Sequence, residues 1–373
     1  LTLGQNPRLW LNDRVPRKQK FNKLHARSNN RGRGFRWLLV LVIIGAVAWL
    51  WWRHGFPFKK NLRQPARIAK TSAPARPPSK PPVIASQSPA DFPRPARDAL
   101  EAQVALARRG ISSGSIDGVI GSQTRLAISV FQHIEKLPET GRLDTNTRPQ
   151  LMLDAPILTT YSVATNDLAR LQPLGKTWLA KSQQSALDYE TELELVAEKA
   201  HAHPELIRQL NPKVNWTNVA AGTVLQILDV NYPAPTDKAA FVVIHLGGKF
   251  LEAFDAQTNL LAHFPCSIAA RVEKRPVGEL HVAVVAPNPN YTFDPELFPE
   301  ASETQKMVLP PGPNNPVGVA WIGLDKPGYG IHGTPAPEQI GRTESHGCFR
   351  LANWDAEYLL KLVWIGMPVE VVP

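Results

Sequence analysis

Residues 59–95 set the first limit on what this chain can become. From Lys59 to Pro95 the sequence is proline-rich, with Pro77-Pro78 and Pro81-Pro82 set among Lys, Arg, Ala and Ser. Such a stretch buries too little apolar surface to offset the entropy lost on ordering it. It reads as a semi-extended spacer, roughly 3 Å per residue where polyproline-like, reaching about 100 Å at most. The chain is therefore an arm and a body, and its 373 residues suggest two or three domains in all. Charge divides the same way. Residues 1–80 hold eighteen Lys/Arg against one acid, Asp13, a charge of +17, while the remainder holds twenty-four against thirty-one, a charge of −7. The overall +10 thus belongs to the arm. A nucleic-acid enzyme carries basic charge on its folded domain, so nucleic acid is not an expected partner. A basic arm beside an apolar segment points to a membrane surface.

That apolar segment runs from Trp37 to Trp52 without a charge. At about 1.5 Å per residue it spans about 24 Å, and flanking Phe35, Phe56 and Phe58 extend it as interface anchors. No small-x-small cleavage site follows it. Residues 1–36 therefore read as a basic cytoplasmic arm, 37–52 as a signal anchor or transmembrane helix, and 53–95 as the linker. The expected location is the cytoplasmic (inner) membrane, single-pass, with the body in the periplasm or cell envelope.

The chemistry gathers near the C-terminus, in Ile331-His332-Gly333-Thr334 and Ser345-His346-Gly347-Cys348-Phe349-Arg350-Leu351. A thiol attacks only as thiolate, and a neighbouring imidazole that takes its proton remains as a cation beside the sulfur. His346 shares a face with Cys348 on an extended chain, whereas His332 returns to it by a loop. Gly347 permits a tight turn that would aim amide N–H groups around Cys348 at one point. A zinc site would need a fourth ligand that this spacing does not supply. A buried, inert Cys is the other bland reading. No cofactor or metal is implied. Cys266 sits in an apolar stretch without a close base and reads as packing.

The two blocks at this spacing resemble the active-site signature of the L,D-transpeptidase catalytic domain, the YkuD type, whose members cross-link or tailor peptidoglycan. The resemblance covers residues 238–373. Arg275-Pro276-Val277-Gly278 stands where that family has a Pro-Thr-Gly turn, with Val277 in place of Thr. Pro313-Asn314-Asn315-Pro316-Val317-Gly318 and Gly328-Tyr329-Gly330 also match. The resemblance implies that Cys348 attacks a stem-peptide carbonyl and forms a thioester. It further implies His332 as general base and His346 as a shaping residue, though the two roles are exchangeable. The amides of His346, Gly347 and Cys348 would hold the oxyanion, with Gly333 and Ser345 shaping the turn. Arg350 would pair with a substrate carboxylate or, equally, with Asp355 or Glu344. Tyr329 and Trp321 would line the groove or pack in the core.

Residues 96–153 read as a small α-helical module. Ala96–Arg109 has helical spacing, Thr124 opens a second helix, and Thr147 opens a short third one. With its Asp-Gly turn (Asp117-Gly118) and Phe131-Gln132 pair it resembles a three-helix peptidoglycan-binding domain. Residues 158–231 give a strand near Tyr161, a helix over Glu192–His201, a second ending at Asn211-Pro212, and a strand over Val224–Leu228. This α+β order resembles a LysM module, which binds glycan, but Leu168–Asp188 is far longer than that family allows. His201 and His203 read as solvent-facing helix-end residues.

Residues 238–373 read as mostly β: a hairpin over Phe241–Phe254, strands near Leu260–Ile268, Glu279–Ala286, Val317–Gly323 and Val369–Val372, and one helix, Trp354–Val363, with Asn353 as its N-cap. The fold class is multidomain: membrane anchor, helical module, LysM-like module and a β-sandwich-like catalytic domain. Expected partners are peptidoglycan stem peptides and glycan, and the membrane through the anchor. Three functions compete: an anchored L,D-transpeptidase, a cysteine hydrolase passing the same acyl group to water, and a non-catalytic peptidoglycan-binding protein.

Overall fold

The structure, a computed structural model, describes residues 88–297, 301–342 and 347–373. The basic arm, the apolar segment 37–52 and most of the linker lie outside the described residues. Among the described residues no helix is long and apolar enough to cross a membrane.

In the first module, β1 (Arg94–Pro95) leads to α1 (Ala99–Ala107), which Asp98 caps by accepting the Glu101 amide at 2.9 Å. Leu100 to Ala107 are all buried. α2 (Ser122–Ile134) packs beside it, with Ile128 and Phe131 in the core. The partner of Phe131, Gln132, is buried and serves a different end. Its amide donates to Thr140 Oγ1, the Arg142 carbonyl and Thr147 Oγ1, and accepts from the Gly141 amide. The expected third helix at Thr147 is a turn instead. The Thr147 hydroxyl is bonded to Asp144 and Gln132, and Pro149 disfavours a helical Arg148. The chain then enters β2 (Met152–Leu153), antiparallel to β1.

In the second module β3 (Leu158–Ser162) pairs antiparallel with β4 (Val224–Leu228), Tyr161 opposite Leu225. Between them lie α3 (Thr165–Ala169), α4 (Trp178–Ser182), α5 (Glu192–Lys199) and α6 (Pro204–Leu210). Asn211 stops α6 and fastens it to β4: Nδ2 donates to the Ile207 and Gln226 carbonyls, and Oδ1 accepts the Gln226 amide at 2.8 Å. His201 is not solvent-facing. Its ring stacks on Trp354 with centroids 5.1 Å apart, and burial pushes its pKa down to about 3. His203 caps α6, its Nδ1 accepting the Glu205 amide at 3.1 Å.

The catalytic region comprises β5 (Phe241–His245), β6 (Phe250–Phe254), β7 (Leu260–Pro265), β8 (Gly278–Pro287), β9 (Tyr291–Phe293), β10 (Met307–Leu309), β11 (Ala320–Leu324), β12 (Gly330–His332), β13 (Phe349–Arg350), α7 (Asn353–Leu362) and β14 (Pro368–Val372). Eight strands form one mixed sheet in the order β13-β12-β11-β8-β14-β5-β6-β7, while β9 and β10 make a separate hairpin. The expected β-sandwich is therefore corrected to a single rolled sheet. Just past β7, Ser267 exchanges two 2.9 Å backbone bonds with Arg350 of β13, joining the two edges. Closure leaves little open edge and wraps the sheet around Ile244, Leu251, Ile322, Phe349 and Leu359.

The three modules pack as one unit over Pro81–Pro373. Ser112 donates its amide to the His263 carbonyl at 2.8 Å, laying the first module along β7, and Ile116 pairs with Ala202 of the second. All three meet at Asp355 on α7, 1% exposed, which accepts the hydroxyls of Ser112 and Tyr232. Burial without a cationic partner pushes its pKa up to about 7, against the pull of those two bonds. A raised carboxyl contributes its full stability only below the unfolded value near 4, and loses it as pH rises through 7. Asp355→Asn should therefore raise the unfolding midpoint more at pH 8 than at pH 4, by on the order of 1–3 kcal/mol at the higher pH. Equal shifts at both pH values in thermal melts would show that Asp355 is not a neutral acid in the fold.

Candidate active site

Strand register assembles the reactive groups. β12 and β13 run parallel, Ile331 beside Phe349 and His332 beside Arg350. Paired residues share a face and alternate residues return to it, so His332, Arg350 and Cys348 face one side of the rolled sheet. Phe349 and Ile331 point the other way and are buried in the core. Leu351 donates its amide to the His332 carbonyl at 2.8 Å, locking the two segments together. β12 can sit this deep because Gly330 has no side chain: a Cβ there would lie 2.7 Å from the Trp321 ring. Trp321 in turn stacks on His332, centroids 5.6 Å apart. Trp321 thus backs the histidine.

His332 is 6% exposed, and its Nδ1–H donates to the Gly333 carbonyl at 2.6 Å. This bond fixes the tautomer and leaves the Nε2 lone pair to accept a proton. Burial pushes the His332 pKa down to about 4; the Gly333 bond opposes the shift and the Arg350 charge adds to it. Cys348 is partly buried, its thiol 3.5 Å from the Gly328 carbonyl. Burial pushes that thiol up to about 11, against the pull of the Gly330 backbone and the Arg350 charge. The sequence leads one to expect a thiolate beside an imidazolium. Among the described residues burial instead favours the neutral form of both Cys348 and His332, because both groups are desolvated together.

Gly347 faces Tyr329, where a Cβ would come within 3.9 Å of the ring, so Tyr329 borders the Cys348 turn. Lys326 lies 4.9 Å over the same ring. Ser345, His346 and Glu344 lie outside the described residues. Asp355 is bonded to Ser112 and Tyr232 instead of Arg350, which corrects one of the two expected ion pairs. Cys266 is fully buried, with its thiol pushed up to about 12, consistent with packing. Among the described residues no three His, Cys, Asp or Glu side chains cluster as a metal site.

Sequence reasoning missed the group that sets Gly333. Asn353 is not an N-cap; Ala352 occupies that position and α7 begins at Asn353. Its Oδ1 accepts the Val319 amide at 3.3 Å and lies so close to Gly318 and Gly333 that a Cβ at either would fall within 2.0–2.3 Å of it. Its Nδ2 donates to the Pro313 carbonyl and to both oxygens of Glu198 on α5, each at 3.1 Å. Glu198 also accepts the Tyr189 hydroxyl at 3.1 Å, and burial pushes its pKa up to about 7. An Asn at a helix start carries a capping signal, and only tertiary contacts diverted it. Glu198 had no sequence signal beyond its place on an amphipathic helix.

The site also touches the insert that made 158–231 too long. Trp178 on α4 stacks on Phe293 of β9, centroids 4.5 Å apart, and its amide donates to Glu303 at 3.0 Å. Leu187 and Pro311, then Asn314 and Leu187, share backbone bonds of 2.9 Å. In the same hairpin the Tyr291 phenol is pushed up to about 12, chiefly by burial, and the charge that Cys348 carries once ionised adds to the shift.

Two outcomes follow for the site. Alkylation of Cys348 by iodoacetamide, read by intact mass, should rise about tenfold per pH unit from 7 to 10, as for a thiol with a raised pKa; a rate flat from pH 6 to 9 would reveal a standing ion pair. Asn353→Ala, which strips Glu198 and Val319 of a buried partner, should cost about 2–4 kcal/mol in denaturant unfolding. A loss below about 0.5 kcal/mol would remove Asn353 from this role.

Residues 239–371 match the L,D-transpeptidase catalytic domain (YkuD), and residues 96–151 match a putative peptidoglycan binding domain. The chain is 27% identical over 182 residues to a putative L,D-transpeptidase YkuD of Bacillus licheniformis, covering 48% of this chain and 93% of that protein. It is 35% identical over 101 residues to a putative L,D-transpeptidase YqjB of Bacillus subtilis, covering 26% and 51%. It is 30% identical over 168 residues to a probable L,D-transpeptidase YbiS of Escherichia coli, covering 44% and 54%. The chain thus spans about half the length of the last two. Among solved structures, L,D-transpeptidase 3 from Mycobacterium tuberculosis overlays 42% of this chain and 76% of its own, at 20% identity and a TM-score of 0.30. The protein therefore carries an L,D-transpeptidase catalytic domain of the YkuD type, a cysteine acyltransferase domain, at residues 239–371, with a putative peptidoglycan-binding domain ahead of it at 96–151.

Proposed function

We propose that this protein transfers peptidoglycan stem peptides through a thioester on Cys348 and passes them to an amine, forming cross-links. The observation that carries the reading is the neutral His332, its Nδ1–H held by Gly333, on the same sheet face as Cys348. In the first half-reaction the thiol proton passes to His332 Nε2 while sulfur attacks the stem carbonyl. The carbonyl oxygen takes up the electron pair near the Gly347 and Cys348 amides, a stabilisation worth about 3–4 kcal/mol per donor. The carbon–nitrogen bond then breaks, His332 returns its proton to the departing D-amino acid, and a thioester remains. In the second half-reaction an acceptor amine attacks the thioester, His332 takes the amine proton, and the sulfur leaves and recovers it. Arg350 offers its guanidinium to a substrate carboxylate. His346 and Ser345 shape the turn before the nucleophile. Release to water in place of an amine is the alternative outcome of the same acyl-enzyme.

The other modules fit this work. The first is assigned to peptidoglycan. In the second, the pairing of β3 with β4 around α5 and α6, closed by Asn211, supports glycan binding of the LysM kind, with α3 and α4 as an addition to that frame. The basic arm and the segment Trp37–Trp52 support a single-pass anchor in the cytoplasmic membrane, with the linker letting the body reach the wall.

Incubation with a carbapenem followed by intact-mass analysis tests the nucleophile. One covalent adduct should form on the wild-type protein and none on Cys348→Ala. His332→Ala should slow its formation by at least a hundredfold. Muropeptide analysis with paired stems should then give dimers; monomers shortened by one residue as the sole product would favour the hydrolase. A folded, reduced protein without an adduct would sink the acyl-enzyme reading.

A further inference from the structure

A cavity of about 180 Å³ lies away from Cys348, where the first module faces the catalytic domain. The start of α2 forms one wall. Gly121 occupies the cap position and offers no side chain to the first amides of a thirteen-residue helix, and Gly121 to Thr124 line the cavity. This is the positive end of the helix dipole. Ser113, 4% exposed, and Ser115 line the same space, and neither hydroxyl has a hydrogen-bond partner. A buried hydroxyl is seldom left so. Lys249 enters from the catalytic side, with one long contact, 3.5 Å to the Gly341 carbonyl, and Arg342 lies beside it. Among the described residues neither cation has a carboxylate within ion-pair distance. Two acids also line the cavity. Asp117 is committed, its Oδ1 accepting Gln103 Nε2 at 3.1 Å and the Val119 amide at 2.8 Å. The two acids balance the two cations, and the helix N-terminus and the unpartnered hydroxyls of Ser113 and Ser115 tip the cavity toward an anion.

We infer that this cavity is a carboxylate subsite, and that its occupant is a carboxylate of a peptidoglycan stem peptide bound apart from the reacting bond. The assignment to a stem rests on the function proposed above; the assignment to a carboxylate does not. The cavity also borders the catalytic chain. Gly341 donates to Ser267 Oγ at 2.9 Å, Ser267 pairs with Arg350, and Gln123 of α2 donates to the Ile340 carbonyl at 2.7 Å. Through Ser267 the cavity wall is thus bonded to the strand that follows Cys348. The first module thus contributes half of a binding site that the catalytic domain completes.

The test uses the full chain with Cys348 first alkylated by iodoacetamide, so that the reactive site is closed. Calorimetric titration compares a purified tetrapeptide stem with the same stem amidated at its carboxylates. The acid should bind at least tenfold more tightly. Lys249→Gln and Ser113→Val should each weaken the acid three- to tenfold while leaving the amide unchanged, and Lys249→Arg should restore it. Arg125→Gln, on the exposed face of α2, should change nothing, and thermal melts establish that each variant is folded. Equal binding of acid and amide, or full affinity in Lys249→Gln, would overturn the carboxylate subsite. Displacement by inorganic phosphate at the same concentration as stem would mark a general anion site and overturn the stem assignment. Failure of the transpeptidase reading appears separately, as absence of a carbapenem adduct on unalkylated protein.

Discussion

The contact on which the rest of the site depends is the side-chain amide of Asn353. One oxygen is pressed against the backbone of Gly318 and Gly333 and accepts the Val319 amide. One nitrogen reaches Pro313 and the Glu198 carboxylate. Through the oxygen it fixes where Gly333 lies, and the Gly333 carbonyl fixes the tautomer of His332. Through the nitrogen it fixes the loop that returns from the β9–β10 hairpin. A buried amide with every atom engaged holds one geometry, whereas an apolar contact of equal size would tolerate sliding. The orientation of His332 is therefore set by a network that starts in the second module.

The rolled sheet supplies the other half of that rigidity. Cys348 directly precedes β13, and a two-residue strand by itself would fray. Its register is held from both sides: β12 pairs with it in parallel, and Ser267 closes from the far edge. Edge strands left open invite pairing with other chains. Here the ring of strands removes that hazard and fixes the face on which the thiol emerges. The glycines around it carry out the same task. Gly330 lets Trp321 back the histidine, and Gly333 lets Asn353 approach.

Much of this was legible in the chain itself, and the boundary between legible and hidden is physical. The blocks around His332 and Cys348, the Phe241–Phe254 hairpin, and the β4 strand announced themselves because alternation and glycine turns are local signals. Gln132 and Asn211 could be seen as part of motifs but not in their roles, since each acts by bonding to a segment folded against it. Thr147 and Asn353 misled for one reason. Both carry the side chains that cap helices, and both spend them elsewhere. The sandwich expectation failed because strand count does not say whether a sheet stacks or closes. That depends on which edges meet, and here a single pair of backbone bonds at Ser267 decides it. The Leu168–Asp188 excess looked like a fault in the resemblance. It is the part of the second module that grips the β9–β10 hairpin and the loop after it.

Burial of the thiol and the imidazole raises the question of how the thiol becomes reactive. Neither group is pre-ionised, and moving the proton from Cys348 to His332 inside a dry cleft is uphill by several kcal/mol before substrate arrives. A standing thiolate would make the site open to any passing electrophile or oxidant. A neutral pair makes reactivity conditional on what binds. In the reaction proposed above, a carbonyl dipole at the Gly347 turn, or a substrate carboxylate that changes the field of Arg350, would alter the balance at the moment of attack. Substrate binding energy is then spent on creating the nucleophile, and selectivity and activation become one event. The packing of the second module on α7 serves that end, because Glu198 holds Asn353, Asn353 sets Gly333, and Gly333 holds the buried His332 in its neutral form.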